Sequence, residues 1–147
     1  MCGIVLSWYR NRLVATTWRH RASDFTAPAS NAAFPSNVQA VIDWNGTSQL
    51  TALNADSSSC RAIHHDAASS PESQLLGCDL QTCANAAVAA SPMTYVSAND
   101  APFLIMHAGN DCYIAAAQSQ KFYAALSKAG VDATIRIFDS VAHVDPF

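Results

Sequence analysis

Residues 102–126 read PFLIMHAGNDCYIAAAQSQKFYAAL. An apolar run from Pro102 to Ala108 stops at Gly109, an acid follows at Asp111, and a helical pattern then begins. A continuous apolar run of this length predicts a strand buried on both faces. Residues 115–130 place Phe122, Leu126 and Ala129 on one face at helical spacing, with Lys128 in the last turn and Gly130 as the stop. The alternating, Ile-rich ATIRIFD (133–139) predicts a second strand. Strand, helix, strand at this spacing is a βαβ unit, which makes the strands parallel and the crossover right-handed. The fold class is therefore α/β with a parallel sheet, and in such sheets functional groups gather beyond the carboxyl ends of the strands. Asp111 follows one strand and His143 follows the next, so both are expected at one rim of the sheet.

Upstream, VQAVIDW (38–44) predicts another strand, ended by the turn signal Asn45-Gly46. GIVLS (3–7) reads as a buried strand, and LVATTW (13–18) is ambiguous between helix and strand. Residues 23–37 read as a loop, and 47–70 as a long irregular stretch. Ser69 and Glu72 have capping-box spacing ahead of a short helix, PESQLL, that ends at Gly77. CANAAVAA (83–90) predicts a further short helix before Ser91-Pro92.

The chain has 147 residues, room for one domain, with 50% apolar and 13% charged residues, a globular balance. A net charge of −3 gives no reason to expect nucleic acid or an anionic membrane, and no stretch approaches the ~18 apolar residues of a membrane span. The first 21 residues hold four Arg and no acid. Residues 1–37, which include them, read as an atypical head rather than a transit peptide, because CGIVLSW lacks a charged region before it and a cleavage site after it.

Five cysteines occur, at 2, 60, 78, 83 and 112. Cys78 and Cys83 suit a disulfide, with Cys60–Cys112 as a second and Cys2 left over. Five reduced thiols are the alternative. Only the disulfide reading implies an oxidising, extracellular setting.

An Asp and a His on neighbouring loops suit one task. The carboxylate accepts a hydrogen bond from one ring nitrogen and fixes the tautomer, so that the other nitrogen can take a proton from a nucleophile. A solvated Asp and an unrelated surface His is the alternative reading from spacing alone.

VQAVIDWNG, SPESQLLG, ASPMTYVSANDAPFLIMHAGND and FYAALSKAGVDATIRIFDSVAH together resemble the second half of an α/β-hydrolase. The nearest branch is that of esterases similar to acetyl-xylan and feruloyl esterases, which also resemble the prolyl-oligopeptidase hydrolase domain. The resemblance covers residues 38–147 and implies one partial hydrolase domain of about four parallel strands with flanking helices. It implies a serine esterase acting on a small-molecule or carbohydrate-linked ester, with no cofactor. Asp111 corresponds to the family acid and His143 to the family histidine, although Val144 stands where a glycine usually follows that histidine. Trp44 and His107 fall beside the site, as candidates to border substrate. His107 is also read as a residue ordering the Asp111 loop, or as a packed core histidine.

The family nucleophile sits in G-x-S-x-G, a tight strand-to-helix turn that needs its glycines. No such motif occurs in this chain. Laying Leu13-Val14-Ala15 on the residues that usually follow the elbow puts Trp8 in the serine's place and Ser7 one residue early. Ser48 keeps half an elbow, Gly46-Thr47-Ser48, but Leu50 replaces the second glycine. Ser7 and Ser48 are therefore weak candidates, and a serine from a second chain is the other source. The glycine-rich oxyanion loop also has no counterpart. The alternative function is a catalytically silent hydrolase fragment acting as a binding module, with an exposed sheet edge open to self-association. HHD (64–66) reads as a surface loop rather than a metal site, because adjacent His side chains diverge and no third ligand is evident.

Overall fold

A computed structural model of the chain describes the backbone of residues 2–9 and 12–19, and residues 39–57 and 64–143. The elements are β1 (Cys2–Tyr9), β2 (Arg12–Arg19), β3 (Val41–Trp44), a 3-10 turn (Leu50–Ala52) leading into α1 (Leu53–Asp56), α2 (Pro71–Leu76) and α3 (Ala84–Ala90). A second 3-10 turn (Pro92–Tyr95), β4 (Phe103–Ala108), α4 (Ala117–Lys128) and β5 (Ala133–Phe138) follow.

The apolar run of the opening stretch becomes the central strand. β3, β4 and β5 pair in that order, all parallel, with Val41, Phe103 and Ala133 in one register and Trp44, Met106 and Arg136 in another. The expected βαβ unit is β4–α4–β5. α4 lays its apolar stripe on one sheet face, where Phe103, Ile105, Phe122, Leu126 and Val131 form a core. Phe103 meets Phe122 edge to face, with ring centroids 5.5 Å apart. On the other face Ile42 is 65% exposed. A second core, Leu50, Leu53, Leu80, Ala87, Ala90 and Ile114, gathers the short helices.

Among the described residues the parallel sheet has three strands where about four were expected. β1 instead pairs antiparallel with β2, from Cys2 opposite Arg19 to Tyr9 opposite Arg12. Only residues 10 and 11 separate the two strands, enough for a hairpin and far too few for a parallel crossover. The cap of α2 is Ser70 rather than Ser69: its Oγ accepts from Ser73 N at 3.1 Å, and Gly77 ends the helix at φ 72°. The stretch 47–57, read as irregular, holds the first 3-10 turn and α1.

Cys78 and Cys83 form a disulfide. Cys112 is also disulfide-bonded. Cys2 and Cys60 lie outside the residues described in side-chain detail. Among the described residues, no helix is long and apolar enough to cross a membrane.

One acid lies inside this sheet. Asp43, on β3, is 5% exposed, and its Oδ1 has no hydrogen-bond partner among the described residues. Burial raises its pKa from the ordinary 3.8 to about 6, against the opposing pull of nearby His107 and the Gly46 N–H. The unfolded chain ionises this group near 3.8 and the folded chain near 6. Its contribution to stability is therefore full below the first value and lost as pH rises through the second. Asp43→Asn is expected to gain stability on the parent chain by about 2 kcal/mol as pH is raised from ~4 to ~8, read from urea unfolding at each pH.

Candidate active site

The carboxyl ends of all three parallel strands meet at one rim, and backbone contacts lace them together there. After β4, Gly109 N donates to Phe138 O at 2.8 Å and Asn110 N donates to Val141 O at 3.0 Å. The two loops run so close that a Cβ on Gly109 would come within 2.8 Å of the Asp139 backbone, which explains a glycine at this position. Asn45, directly after β3, holds a left-handed φ of 51°. Its Oδ1 accepts from Ala108 N at 2.8 Å, its Nδ2 donates to His143 O at 3.2 Å and its own N donates to Met106 O at 2.9 Å. One side chain thus ties the end of β3 to the end of β4 and to the loop after β5.

This lacing brings Asp111 and His143 together. His143 Nδ1 lies 2.5 Å from Asp111 Oδ2. Asp111 is 6% exposed, and its Oδ1 accepts from Tyr113 N at 2.8 Å and Ile114 N at 2.9 Å, closing an Asx-type turn. Burial alone would raise the Asp111 pKa. Hydrogen bonds from His107, His143 and the Ile114 N–H outweigh it and hold the group at about 2. The carboxylate is therefore ionised at neutral pH. It fixes the hydrogen of His143 on Nδ1 and leaves Nε2 as the basic nitrogen. The His143 side chain is 10% exposed, and the Tyr113 ring lies against it at 5.4 Å between centroids.

His107 is fully buried behind Asp111. Its Nε2 is 2.8 Å from Ile114 O and 3.4 Å from Asp111 Oδ2, both acceptors, so that nitrogen carries the hydrogen. Its Nδ1 meets Ser119 Oγ at 2.6 Å. With both ring nitrogens engaged and its side chain buried, His107 makes the contacts expected of a residue ordering the acid loop. Trp44 stands at the end of β3, 45% exposed at the rim.

Ser48 is 1% exposed and its hydroxyl is committed elsewhere, donating to Gln118 O at 2.8 Å. Gln118 Oε1 accepts from Ser48 N at 3.0 Å and Gln49 N at 2.7 Å, so this side chain on α4 clamps the whole turn after β3. The side chain of Ser7 lies outside the described residues. His65, read above as part of a surface loop, is instead fully buried, because its ring reaches Tyr113 O at 2.9 Å. Among the described residues there is no group of three or more metal-ligating side chains.

A family model, BD-FAE, matches residues 13–126, which include Asp111 and stop short of His143. The chain belongs to the BD-FAE family. This is an esterase-like family, and the BD-FAE chain carries a partial α/β-hydrolase fold. It is similar to a truncated form of a carbohydrate esterase from gut microbiota, at 26% identity and a TM-score of 0.67, over 76% of this chain and 38% of that one. It is similar to a bifunctional GH43-CE protein of Bacteroides eggerthii, at 27% identity and a TM-score of 0.64, over 76% of this chain and 15% of that one. An acylaminoacyl peptidase of Pyrococcus horikoshii follows at 26% identity and a TM-score of 0.56, over 72% of this chain and 16% of that one. The chain thus spans 38% or less of each of these three proteins. No curated protein matches it.

Asn45 and Gln118 escaped the reading of the sequence. The only local signal for Asn45 is Asn-Gly after a strand, where Asn tolerates positive φ. Gly109→Ala is expected to force the loops after β4 and β5 apart, because backbone rather than a flexible side chain blocks the added methyl. The measurable outcome is loss of the His143-to-Asp111 hydrogen bond, seen as disappearance of its downfield proton resonance, with the β4 and α4 amide signals kept.

Proposed function

We propose that this chain hydrolyses carboxylic esters by the serine route, with Asp111 orienting His143 and His143 acting as general base. The single observation that carries the reading is the 2.5 Å contact of His143 Nδ1 with a buried, ionised Asp111 at the carboxyl rim of a parallel sheet. In such a couple Nε2 takes the proton of a serine hydroxyl as its oxygen attacks the ester carbonyl. The same proton then goes to the departing alcohol, and water repeats the cycle to free the acid. The substrate class proposed is a small or carbohydrate-linked ester. Membership of an esterase-like family and the likeness to a carbohydrate esterase support it.

The nucleophile is the open member. As Ser48 donates to Gln118 O, that turn must rearrange before its oxygen can attack. Ser7, or a serine on a second polypeptide, are the other sources. The commitment of the Ser48 hydroxyl also favours a second reading, in which the isolated chain is catalytically silent and serves as a binding module.

Hydrolysis of p-nitrophenyl acetate by the intact chain decides between them. The esterase reading expects turnover that falls ~10³-fold or more in His143→Ala and by a similar order in Asp111→Asn, which leaves the wrong tautomer. Turnover indifferent to His143 rules out this chemistry, and no turnover at all favours the silent module. Fluorophosphonate labelling followed by peptide mapping is expected to mark one serine in the parent chain and none in His143→Ala.

A further inference from the structure

Behind the Asp111 loop lies a second buried imidazole–carboxylate pair that the proposed chemistry does not use. His65 and Glu72 are both fully buried, with Nδ1 and Oε1 3.1 Å apart, an ion-pair distance without the alignment of a hydrogen bond. Glu72 belongs to the first turn of α2, and Pro71 and the Ser70 cap fix its position. The His65 backbone N–H is held by Asn54 Oδ1 at 2.8 Å, so the ring is anchored from α1 as well.

The ring of His65 points at the acid loop. Its Nε2 is 2.9 Å from Tyr113 O. A carbonyl only accepts, so Nε2 carries a hydrogen. A neutral ring then presents a lone pair at Nδ1 toward the Glu72 carboxylate. Two lone pairs at that distance in a dry site repel, so the pair is stable only when it shares a hydrogen. Whether that hydrogen sits on the ring or on the carboxyl, Nε2 keeps its own for Tyr113 O.

Tyr113 is the junction. Its N–H is bound by Asp111 Oδ1, its C=O by His65, and its ring lies against His143. The next carbonyl, Ile114 O, is held by His107. The Tyr113–Ile114 peptide unit thus gives its N–H to the acid and its C=O to His65, and the next peptide unit is held at its C=O by His107. We propose that His65, standing between Glu72 and the Tyr113 carbonyl, is a positioning residue for the Asp111–His143 couple and acts through Tyr113. The term positioning rests on the ester-hydrolase reading, whereas the tether itself does not.

The experiment uses the intact chain and needs no turnover. In the unmodified protein, imidazole ¹⁵N spectra are expected to show a hydrogen on His65 Nε2. A bare Nε2 there overturns the proposal without any variant. In His65→Leu, the Asp111 carboxyl titration is expected to move from about 2 toward 3.8. Exchange of the Tyr113 and Ile114 amides should accelerate at least ~10-fold while amides of β4 and α4 keep their protection. His65→Gln, whose amide can still donate to Tyr113 O, is expected to stay near the parent in both readouts. A lower melting temperature in His65→Leu with both readouts unmoved assigns His65 to packing alone and overturns the proposal. If His65→Leu does not fold, the ¹⁵N spectra and the Gln variant decide. Where the parent chain turns over ester, kcat of His65→Leu should fall ~10-fold with KM within ~2-fold. A parent without turnover sinks the esterase reading and leaves the spectroscopic outcomes to judge the tether.

Discussion

The rim of the sheet depends on one buried carboxylate that has gathered enough donors to stay charged. Desolvation opposes an ionised acid at 6% exposure. Asp111 overcomes it with two backbone N–H groups, the His143 ring and a longer contact from His107. Those donors come from the loop after β4, from the loop after β5 and from β4 itself. Removing any one leaves the others holding a costlier charge, so the loops must stay where the acid needs them. The register of three parallel strands is what makes this arrangement cheap in backbone terms. Parallel pairing puts consecutive carboxyl ends side by side, and Gly109 then permits the loops to touch.

Two acids in this small domain show opposite solutions to burial. Asp43 has a Gly46 N–H and a neighbouring His107, and one oxygen without a partner among the described residues. Its charge is insufficiently compensated, and its pKa rises. Asp111 is compensated on both oxygens, and its pKa falls. Both acids feel His107, whose Nε2 contacts Asp111 and whose nearby ring pulls the Asp43 pKa down.

Much of this frame was legible in the residues because its signals are local. A continuous apolar strand, a helical stripe and an alternating strand specify β4–α4–β5, and position after a strand end singles out Asp111 and His143. What stayed hidden depends on partners far along the chain. Asn45 meets His143 across 98 residues, and Gln118 meets Ser48 across 70. No window contains both members of either pair. His64-His65-Asp66 looks polar and exposed locally, yet His65 is drawn inside by Glu72 and the Tyr113 carbonyl, 48 residues on. The hairpin of β1 and β2 was missed for a different reason. LVATTW carries no decisive periodicity, so nothing local pairs it antiparallel with GIVLS.

For the proposed serine route, the commitment of the Ser48 hydroxyl to Gln118 O has the widest chemical consequence. In a serine triad the residues act as a unit, and removing the serine costs on the order of 10⁶ in turnover, about 8 kcal/mol of transition-state stabilisation. An aligned Asp–His couple cannot recover that amount by itself, because its effect is to raise the reactivity of an oxygen that something else must supply. The BD-FAE match begins at residue 13, and the solved relatives extend well beyond the length this chain covers. The couple is nonetheless built to high order, with the acid held low and the rim tied by Asn45. Preorganisation of that kind lowers a barrier only when the reacting group arrives in a fixed place. The position from which His143 Nε2 can accept a proton is therefore the geometric requirement that any serine, from this chain or another, has to meet.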